Sequence, residues 1–364
     1  MKGSLSTLGY LSFISVISLF SYPVRAAGEL FIFPEIRLEQ MEGNSFDHAS
    51  TVANVDLFAS VQYRKIKFLG ELFVSKSGSG EIKADFERLK IGYQLSPDST
   101  LWLGRAHNPV SYWNTQYYHA NYLQPSISRP EIEMLDHDGG LLPSHIVGLL
   151  VEMRQQLGDG DLNYTFAIGT GPQLRPSTNR HGASGLTLHP VNVFNPNKGN
   201  HKYSVTARVG YRPDMLSDNQ LGAFATHTVV PIDDVAFDKA VISAMGVFAR
   251  WDVARFTLNG ALFLFNDKVS AIANTTRGDF SSAYIQVDYR ASDEWILFSR
   301  LENTSEKESD PYLKLMTGFA GKRHAAGVRW DITSRQAIKL EVSREHEIGG
   351  SVSNAILSWT AVFP

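Results

Sequence analysis

Apolar and polar residues alternate one by one through many short stretches of the chain. From Val55 to Tyr63 the odd-numbered positions are apolar and most even-numbered positions are polar, and the same alternation runs from Lys202 to Tyr211. Successive side chains of a β-strand point to opposite faces, so this period of two predicts strands with one apolar and one polar face. The pattern returns over 162–169 and 285–290, which predicts a protein built mostly of strands.

Sixteen such stretches can be counted along the chain. They are predicted near 30–39, 52–63, 66–74, 85–95, 100–106, 144–154, 161–170, 201–211, 220–229, 240–251, 255–265, 280–290, 295–302, 323–331, 336–344 and 353–363. Short connections rich in turn-forming residues alternate with longer ones. The longer ones are predicted at 40–51, 75–84, 107–143, 171–200, 230–239, 266–279, 303–322 and 345–352. An even number of strands places both chain ends on the side of the short turns.

Two features favour a membrane barrel over a soluble β-sandwich. The polar face carries small residues, glycines and charges, and aromatic residues such as Tyr63, Trp251 and Trp330 recur near the ends of the apolar face, as they do at the two membrane interfaces of a barrel. No stretch after residue 26 approaches the ~20 consecutive apolar residues of a spanning helix. The predicted fold class is therefore all-β: a single antiparallel transmembrane β-barrel of about 16 strands, with long external loops and short periplasmic turns. A ring of that size leaves an aqueous channel.

Residues 1–26 are predicted to be a signal peptide, and residues 27–364 the barrel. Lys2 gives a positive start, the run from Leu8 to Phe20 is largely apolar, and Val24 and Ala26 place small residues where a signal peptidase reads. We expect cleavage after Ala26, with Ala27 as the second choice. The alternative of an uncleaved membrane anchor needs a longer apolar run than this one.

Charge and cysteine content exclude several classes of function. The formal net charge is −3, and removal of Lys2 and Arg25 with the signal would change it to about −5, so nucleic-acid binding is not expected. The chain has no cysteine, which excludes disulfides, thiolate zinc sites and cysteine nucleophiles. We expect no cofactor and no enzymatic activity.

The last strand resembles the C-terminal signal by which Gram-negative outer-membrane barrels are recognised for insertion. It places Leu357, Trp359, Ala361 and Phe363 on one face, although Pro364 follows where the aromatic is usually last. The whole chain resembles the bacterial porin superfamily in its strand pattern. This resemblance implies a passive channel in the outer membrane, contact with the lipid bilayer and lipopolysaccharide, and recognition by the barrel-assembly machinery. Trimers are common among porins, so a homotrimer is one expected assembly.

The link 107–143 follows the fifth strand, where general porins place the loop that folds inward and narrows the pore. Its beginning, Gly104 to Pro109, resembles the "GR-x-x-x-P" segment of porin-like proteins that include phosphate-selective porins. We therefore predict a constriction formed by Arg105, His107, Tyr112, Trp113, Asn114, His119, Arg129, Glu131, Glu133 and Asp136. Opposed charges there would select solutes; equally, the aromatics could only pack the loop against the wall while the charges pair with lumen residues.

Charged residues on the inward faces of the strands are predicted to line the lumen. They are Arg37, Asp56, Lys67, Glu71, Arg88, Lys90, Arg208, Arg250, Asp288, Arg290 and Arg329, with Arg300, Lys339 and Glu341 on the same faces. Ten of these fourteen residues are basic, which favours anions. The acidic run from Glu131 to Asp138 opposes that preference, so the ion preference stays open from sequence.

Three other functions compete with that of a channel. Ser144 and His145 are adjacent, and adjacent strand residues face opposite ways, so they are poorly placed to form the nucleophile–base pair of a hydrolase. The histidines and carboxylates of the 107–143 link have no recognised metal-ligand spacing. A non-conducting barrel that serves as a scaffold for a partner protein stays open, because strand patterns do not reveal whether a lumen is plugged.

Overall fold

The computed structural model describes residues 27–43, 46–78, 80–117, 121–134, 140–178, 184–195, 198–316, 318–347 and 350–364. In these ranges sixteen antiparallel strands close into one barrel, and two more form a separate hairpin. The barrel strands are β1 Ala27–Gly43, β2 Phe46–Tyr63, β3 Ile66–Ser77, β4 Ile82–Ser96, β5 Ser99–His107, β6 His145–Leu157, β7 Gly160–Thr170, β10 Tyr203–Arg212, β11 Gln220–Pro231, β12 Phe237–Val253, β13 Phe256–Ala271, β14 Thr275–Arg290, β15 Trp295–Thr304, β16 Lys322–Thr333, β17 Gln336–Glu347 and β18 Gly350–Ala361. The hairpin strands are β8 Gln173–Thr178 and β9 Ser184–His189.

Each barrel strand pairs with the barrel strands before and after it in the chain. Strand β7 pairs directly with β10, because the β8–β9 hairpin between them is not part of the barrel. The barrel closes where β1 pairs with β18, with Leu38 opposite Leu357. Phe363 extends the closure, because its backbone exchanges two hydrogen bonds with that of Ile32 (2.8 and 2.9 Å). The prediction of a sixteen-stranded antiparallel barrel is confirmed, and each predicted strand corresponds to one of the sixteen.

Alternation along the strands produces an apolar outer surface. On β13, Leu262 is 41% exposed on the outer face, whereas its neighbour Phe263 is fully buried inside. Leu103, Met245 and Ile285 are likewise exposed on the outer surface. Exposed apolar side chains on this scale, repeated around a closed ring, are what a barrel surrounded by lipid carries.

The predicted alternation of short and long links is wrong at several places, because the strands extend further than the apolar pattern does. The link predicted at 266–279 is only 272–274, since β13 and β14 continue to pair through polar residues such as Asp267 and Lys268. Links 78–81 and 232–236 are similarly short. Backbone pairing does not require an apolar face, so the polar ends of the strands gave no period-two signal.

Three long connections remain, at 108–144, 171–202 and 305–321. The second corresponds to the predicted long link 171–200, one of the loops that the predicted fold class makes external. It instead contains the β8–β9 hairpin, whose Leu174 and Leu188 are fully buried, and Leu174 forms a bridge to Ile232 just beyond β11. Apolar side chains at alternate positions of this hairpin account for its packing against the barrel interior.

The predicted signal peptide, residues 1–26, lies outside the described residues and stays a prediction. Among the described ranges, no helix is long and apolar enough to cross a membrane. The helices in these ranges are single turns in the long connections: α1 Trp113–Gln116, α2 Pro311–Leu315, and the 3₁₀ turns Asn121–Leu123 and Glu131–Glu133.

Candidate functional site

The described residues of the connection 108–144 lie inside the barrel, where the aromatic residues around α1 pack against the wall. Trp113, at the start of α1, is fully buried. Its ring contacts those of Tyr117 and Tyr284 edge-on, at centroid distances of 5.2 and 6.1 Å. Asn114 is buried beside it and donates to the carbonyl of Asn108 (2.8 Å), which holds the first turn of the connection.

The middle of this connection is fastened to the opposite wall by charged side chains. Arg300 on β15 donates to the carbonyls of Ser128 and Arg129, both at 3.0 Å. Glu341 on β17 accepts from the backbone N–H groups of Ile127 (2.7 Å) and Ser128 (3.0 Å). These groups are more than 170 residues apart in the chain, so the connection spans the interior from β5 to β17.

Further contacts of the same kind secure the 121–126 turn. Lys339 donates to the carbonyls of Gln124 (2.6 Å) and Ser126 (3.1 Å), and Arg329 donates to the carbonyl of Gln124 (3.1 Å). Hydrogen bonds to charged groups are stronger than neutral ones, so this part of the connection is held rigidly against β16 and β17.

The two described carboxylates of the predicted constriction are also buried against the wall. Glu131 accepts from the backbone N–H of Ala320 (2.9 Å) and lies 3.9 Å from the Arg323 guanidinium. Glu133 lies beside the Tyr284 hydroxyl, which donates to it at 3.5 Å. Burial raises the pKa of Glu133 to about 7, an effect that hydrogen bonds from Ser111 and Tyr284 and the charge of Arg129 only partly oppose.

Strands β11 to β14 present an apolar inner wall, which contradicts the expectation that inward faces carry mainly small and charged residues. Phe224, Phe263, Phe265 and Phe280 all point inward and are buried, and the rings of Phe265 and Phe280 stack at 4.2 Å. Together with Trp113, Leu174, Leu188 and the residues around α2 they form one apolar cluster. The run 260–265 is apolar on both faces, the sequence signal that indicates such a wall.

The opposite side of the interior encloses a cavity of about 530 Å³ between the 108–144 connection and strands β3 to β7 and β10. Turn residues Pro97 and Asp98 line it, which places it at the end of the barrel where the short turns lie. Its basic lining residues are Lys67, Arg88, Lys90, Arg154, Arg208 and Arg212, and its acidic ones are Asp98, Glu152 and Asp218.

Two of the basic residues that line the cavity have only neutral partners among the described residues. Lys67 donates to the hydroxyl of Thr100 (3.3 Å). Arg208 donates to the side-chain oxygen of Gln220 (3.1 Å) and lies over the ring of Phe248 at 4.7 Å. By contrast, Lys90 is 3.8 Å from Glu152. The cavity therefore carries positive charge that no described carboxylate pairs with at Lys67 and Arg208.

A cluster of ionisable side chains lies beside the cavity on β3 to β6. Glu71 binds Arg88 and lies 3.6 Å from His107. His145 lies 2.8 Å from Glu87. Arg105, whose side chain is fully buried, contacts Asp85 at 3.0 Å.

Gly104 makes the position of Arg105 possible. Its φ is +133°, a conformation that favours glycine, and a Cβ there would overlap the carbonyl oxygen of Leu89. Arg105 then donates to the carbonyl of Val191 (2.8 Å), beyond the β8–β9 hairpin. The glycine–arginine pair that prompted the family resemblance thus joins the barrel wall to the second long connection.

The structure brings only part of the predicted site together. The predicted residues that line the cavity are Lys67, Arg88, Lys90, His107, Tyr112 and Arg208. Burial raises the pKa of the Tyr112 hydroxyl, so this side chain is neutral. Four other residues of the predicted constriction, and the backbone of Arg129, are buried where the connection packs against the wall. These four are Trp113, Asn114, Glu131 and Glu133. His119 and Asp136 lie outside the described residues.

Three of the remaining predicted wall residues pair locally. Arg37 contacts Glu35 (2.9 Å), Arg250 contacts Asp252 (2.9 Å), and Arg329 contacts Asp331 (2.7 Å). Asp56 is buried beside Glu71.

Two predicted wall residues at the C-terminal end of β14, Asp288 and Arg290, differ in exposure. Asp288 accepts from Gln286 (2.8 Å), whereas Arg290 is exposed at the last position of β14. Sequence analysis missed Arg154 and Arg212 of the cavity, because both lie at strand ends next to turns, where side chains were not assigned to a face.

Ser144 and His145, which are poorly placed in sequence to act as a hydrolase pair, contact different groups. Ser144 is buried and donates to the carbonyl of Met134 (3.4 Å), whereas the imidazole of His145 lies against Glu87. Within the described ranges, no group of three or more histidine and carboxylate side chains is arranged to hold a metal ion.

No protein-family model matches the chain, and no curated protein matches it. Solved structures do. An anion-selective porin from Comamonas acidovorans has a TM-score of 0.58 at 10% identity, over 93% of this chain and 100% of that one. The outer-membrane channel DcaP of Acinetobacter baumannii has a TM-score of 0.57, and OmpF of Salmonella typhi, in complex with daunomycin, one of 0.56. Both are 13% identical over 94% of this chain and 99% of theirs. The chain therefore has the sixteen-stranded barrel fold of the outer-membrane porins.

Proposed function

We propose that this protein is an outer-membrane channel for passive diffusion of small hydrophilic solutes or ions. The observation that carries the proposal is the charged cavity between the 108–144 connection and the wall of β3 to β7 and β10. A closed ring with an apolar outer surface suits residence in a bilayer. A polar, charged cavity inside such a ring is suited to water-soluble solutes, because it replaces part of their hydration.

The route of a solute is confined to one side of the barrel. The apolar cluster fills the side formed by β11 to β14, whereas charged residues line the side formed by β3 to β7. The 108–144 connection supplies Pro109, Tyr112, Thr115 and Gln116 to the cavity, next to His107 at the end of β5. It therefore acts as a constriction by forming one wall of the passage, and its buried carboxylates do not themselves meet the solute.

We propose further that the channel prefers anions. Six basic and three acidic residues line the cavity, and Lys67 and Arg208 are paired only with neutral groups among the described residues. A passing anion would be attracted by this net positive charge and a cation repelled.

Planar-bilayer recording of the purified, folded barrel tests the proposal. Discrete conductance steps are expected, with a reversal potential under a potassium chloride gradient that has the sign of chloride preference. A correctly folded protein without conductance would refute the channel, and a potassium-selective reversal potential would refute the anion preference alone. Liposome swelling with sugars, amino acids and dicarboxylates would then identify the solutes that pass.

A second candidate function is a non-conducting scaffold for a partner protein. The apolar cluster favours it, since it fills a large part of an interior that an open pore would leave to water. Silence in bilayers combined with native folding is the result expected of such a scaffold.

The expected partners follow from the same proposal. The apolar outer surface would contact the bilayer and lipopolysaccharide. The strand ending at Phe363 would be recognised by the barrel-assembly machinery after export and cleavage of residues 1–26. A homotrimer is proposed by analogy, since OmpT of Vibrio cholerae, at 10% identity and a TM-score of 0.55, is described in a trimer form.

A further inference from the structure

Two carboxylates meet without any cationic partner at the outer end of β13. Asp267 lies on the inward face of β13, and Asp310 lies in the connection 305–321, immediately before α2. Their exposed fractions are 0% and 3%. Their Oδ2 atoms both lie within 2.9 Å of one point, the position that a Cβ of Gly278 would take, although 43 residues separate the two aspartates in the chain.

Most of the oxygen atoms of this pair have no hydrogen-bond donor. Asp310 uses Oδ1 to accept from the backbone N–H groups of Tyr312 and Leu313, both at 2.9 Å, and so caps α2. Its Oδ2 atom and both carboxylate oxygens of Asp267 are buried without a hydrogen-bond partner among the described residues. The helix cap thus accounts for one oxygen of four.

No nearby cation compensates these charges. Lys268 and Arg277 are opposite each other on β13 and β14, next to the pair in the ladder, but both are exposed on the outer face of the barrel. Throughout the described part of the chain, neither Asp267 nor Asp310 takes part in an ion pair. Burial of two uncompensated carboxylates is strongly unfavourable, so either a proton shared between them or a bound cation must neutralise them.

Gly278 shapes the space in which these oxygens converge. It is directly opposite Asp267 in the β13–β14 ladder. A Cβ at this position would overlap Oδ2 of Asp310 and come within 2.9 Å of Oδ2 of Asp267. The two Oδ2 atoms therefore converge beside the Gly278 backbone and the Pro311 ring, and a side chain at position 278 would displace them.

We propose that Asp267 and Asp310 bind a divalent cation of the calcium class. Hard cations of this class bind carboxylate, carbonyl and water oxygens. The two side chains here offer only oxygen atoms, without the nitrogen or sulfur ligands that would favour zinc. Two carboxylates supply the charge, and water and backbone oxygens complete the coordination. With so few charged ligands, we expect a dissociation constant of about 10⁻⁴ to 10⁻³ M, as in extracellular calcium modules.

The bound ion would fasten the third long connection to the barrel. Asp310 leads directly into α2, whose Tyr312 and Leu313 are buried in the apolar cluster. Joining Asp310 to β13 would therefore hold α2, and with it one edge of the interior packing, in place.

Calcium titration of the full-length folded barrel in detergent, after removal of divalent ions with a chelator, tests this site. Isothermal titration calorimetry should detect saturable binding, and calcium at ten times the dissociation constant should raise the unfolding temperature by about 2 °C. Asp267→Asn should abolish both effects. Asp293→Asn, which removes an exposed carboxylate at the opposite end of the barrel, should retain both.

Absence of saturable calcium binding to the unsubstituted protein would overturn the proposal and leave a shared proton as the neutralising group. Binding unchanged in Asp267→Asn would overturn it as well. If Asp267→Asn does not fold, Asp310→Asn replaces it, since an asparagine oxygen can still cap α2 while the carboxylate charge is lost. These measurements need no conductance, so they are independent of the proposed channel function.

Discussion

Replacement of Arg208 by glutamine should weaken the proposed anion preference by a calculable amount. A sphere of 530 Å³ has a radius of about 5 Å, and at that distance a unit charge acts on an ion with about 0.8 kcal/mol in water. Screening at 0.1 M salt, where the Debye length is about 10 Å, lowers this to about 0.5 kcal/mol. Loss of the charge raises the energy of an anion and lowers that of a cation, so the ratio of chloride to potassium permeability should fall about two- to fivefold.

The assay is the reversal potential under a salt gradient, measured for the unsubstituted channel and for Arg208→Gln at equal pH and salt. Lys268→Gln is the matched control, because it removes the same charge from the outer face, away from the cavity. Its permeability ratio should not change. If Arg208→Gln folds and conducts with an unaltered ratio, or if Lys268→Gln shifts the ratio equally, then the cavity is not the selective part of the passage.

Three further predictions concern the 108–144 connection. Trp113→Ala removes a fully buried side chain and should lower the free energy of unfolding by about 3–5 kcal/mol, measured by denaturant titration; a loss below about 1 kcal/mol would mean that the apolar cluster repacks. Glu341→Ala removes the acceptor of the Ile127 and Ser128 N–H groups, and each of these hydrogen bonds is worth about 1.5–3 kcal/mol. Hydrogen exchange at these two amides should therefore accelerate by at least about tenfold. Glu341→Gln is the control and should have a smaller effect. Glu133 has its pKa raised from 4.5 to about 7 by burial, so its contribution to stability is present below pH 4.5 and is lost as the pH rises through 7; the unfolding temperature of Glu133→Gln should lack this decline, and parallel pH profiles for the two proteins would refute the assignment.

Sequence alone determined the wall of this protein. The period of two is a local property, because neighbouring side chains of a strand take opposite faces whatever the rest of the chain does. Sixteen such stretches, joined by turns, therefore predict sixteen antiparallel strands, and the apolar face of each predicts the outer surface. The alternation does not mark strand ends at which neither face has to be apolar. The outer ends of β13 and β14 pair through polar residues, so the length of these strands was visible only in the structure.

Only the tertiary structure decided what fills the ring. Ile127 and Glu341 meet across a separation of 214 residues, and no local pattern relates them. The same holds for Arg300 and Ser128, for the basic residues collected from β3 to β7 and β10 into one cavity, and for the meeting of Asp267 with Asp310. A side chain on an inward face can be predicted from the alternation, but its partner depends on closure of the barrel and on the path of the 108–144 connection across it. Burial then decides which charges pair with other residues and which face the cavity.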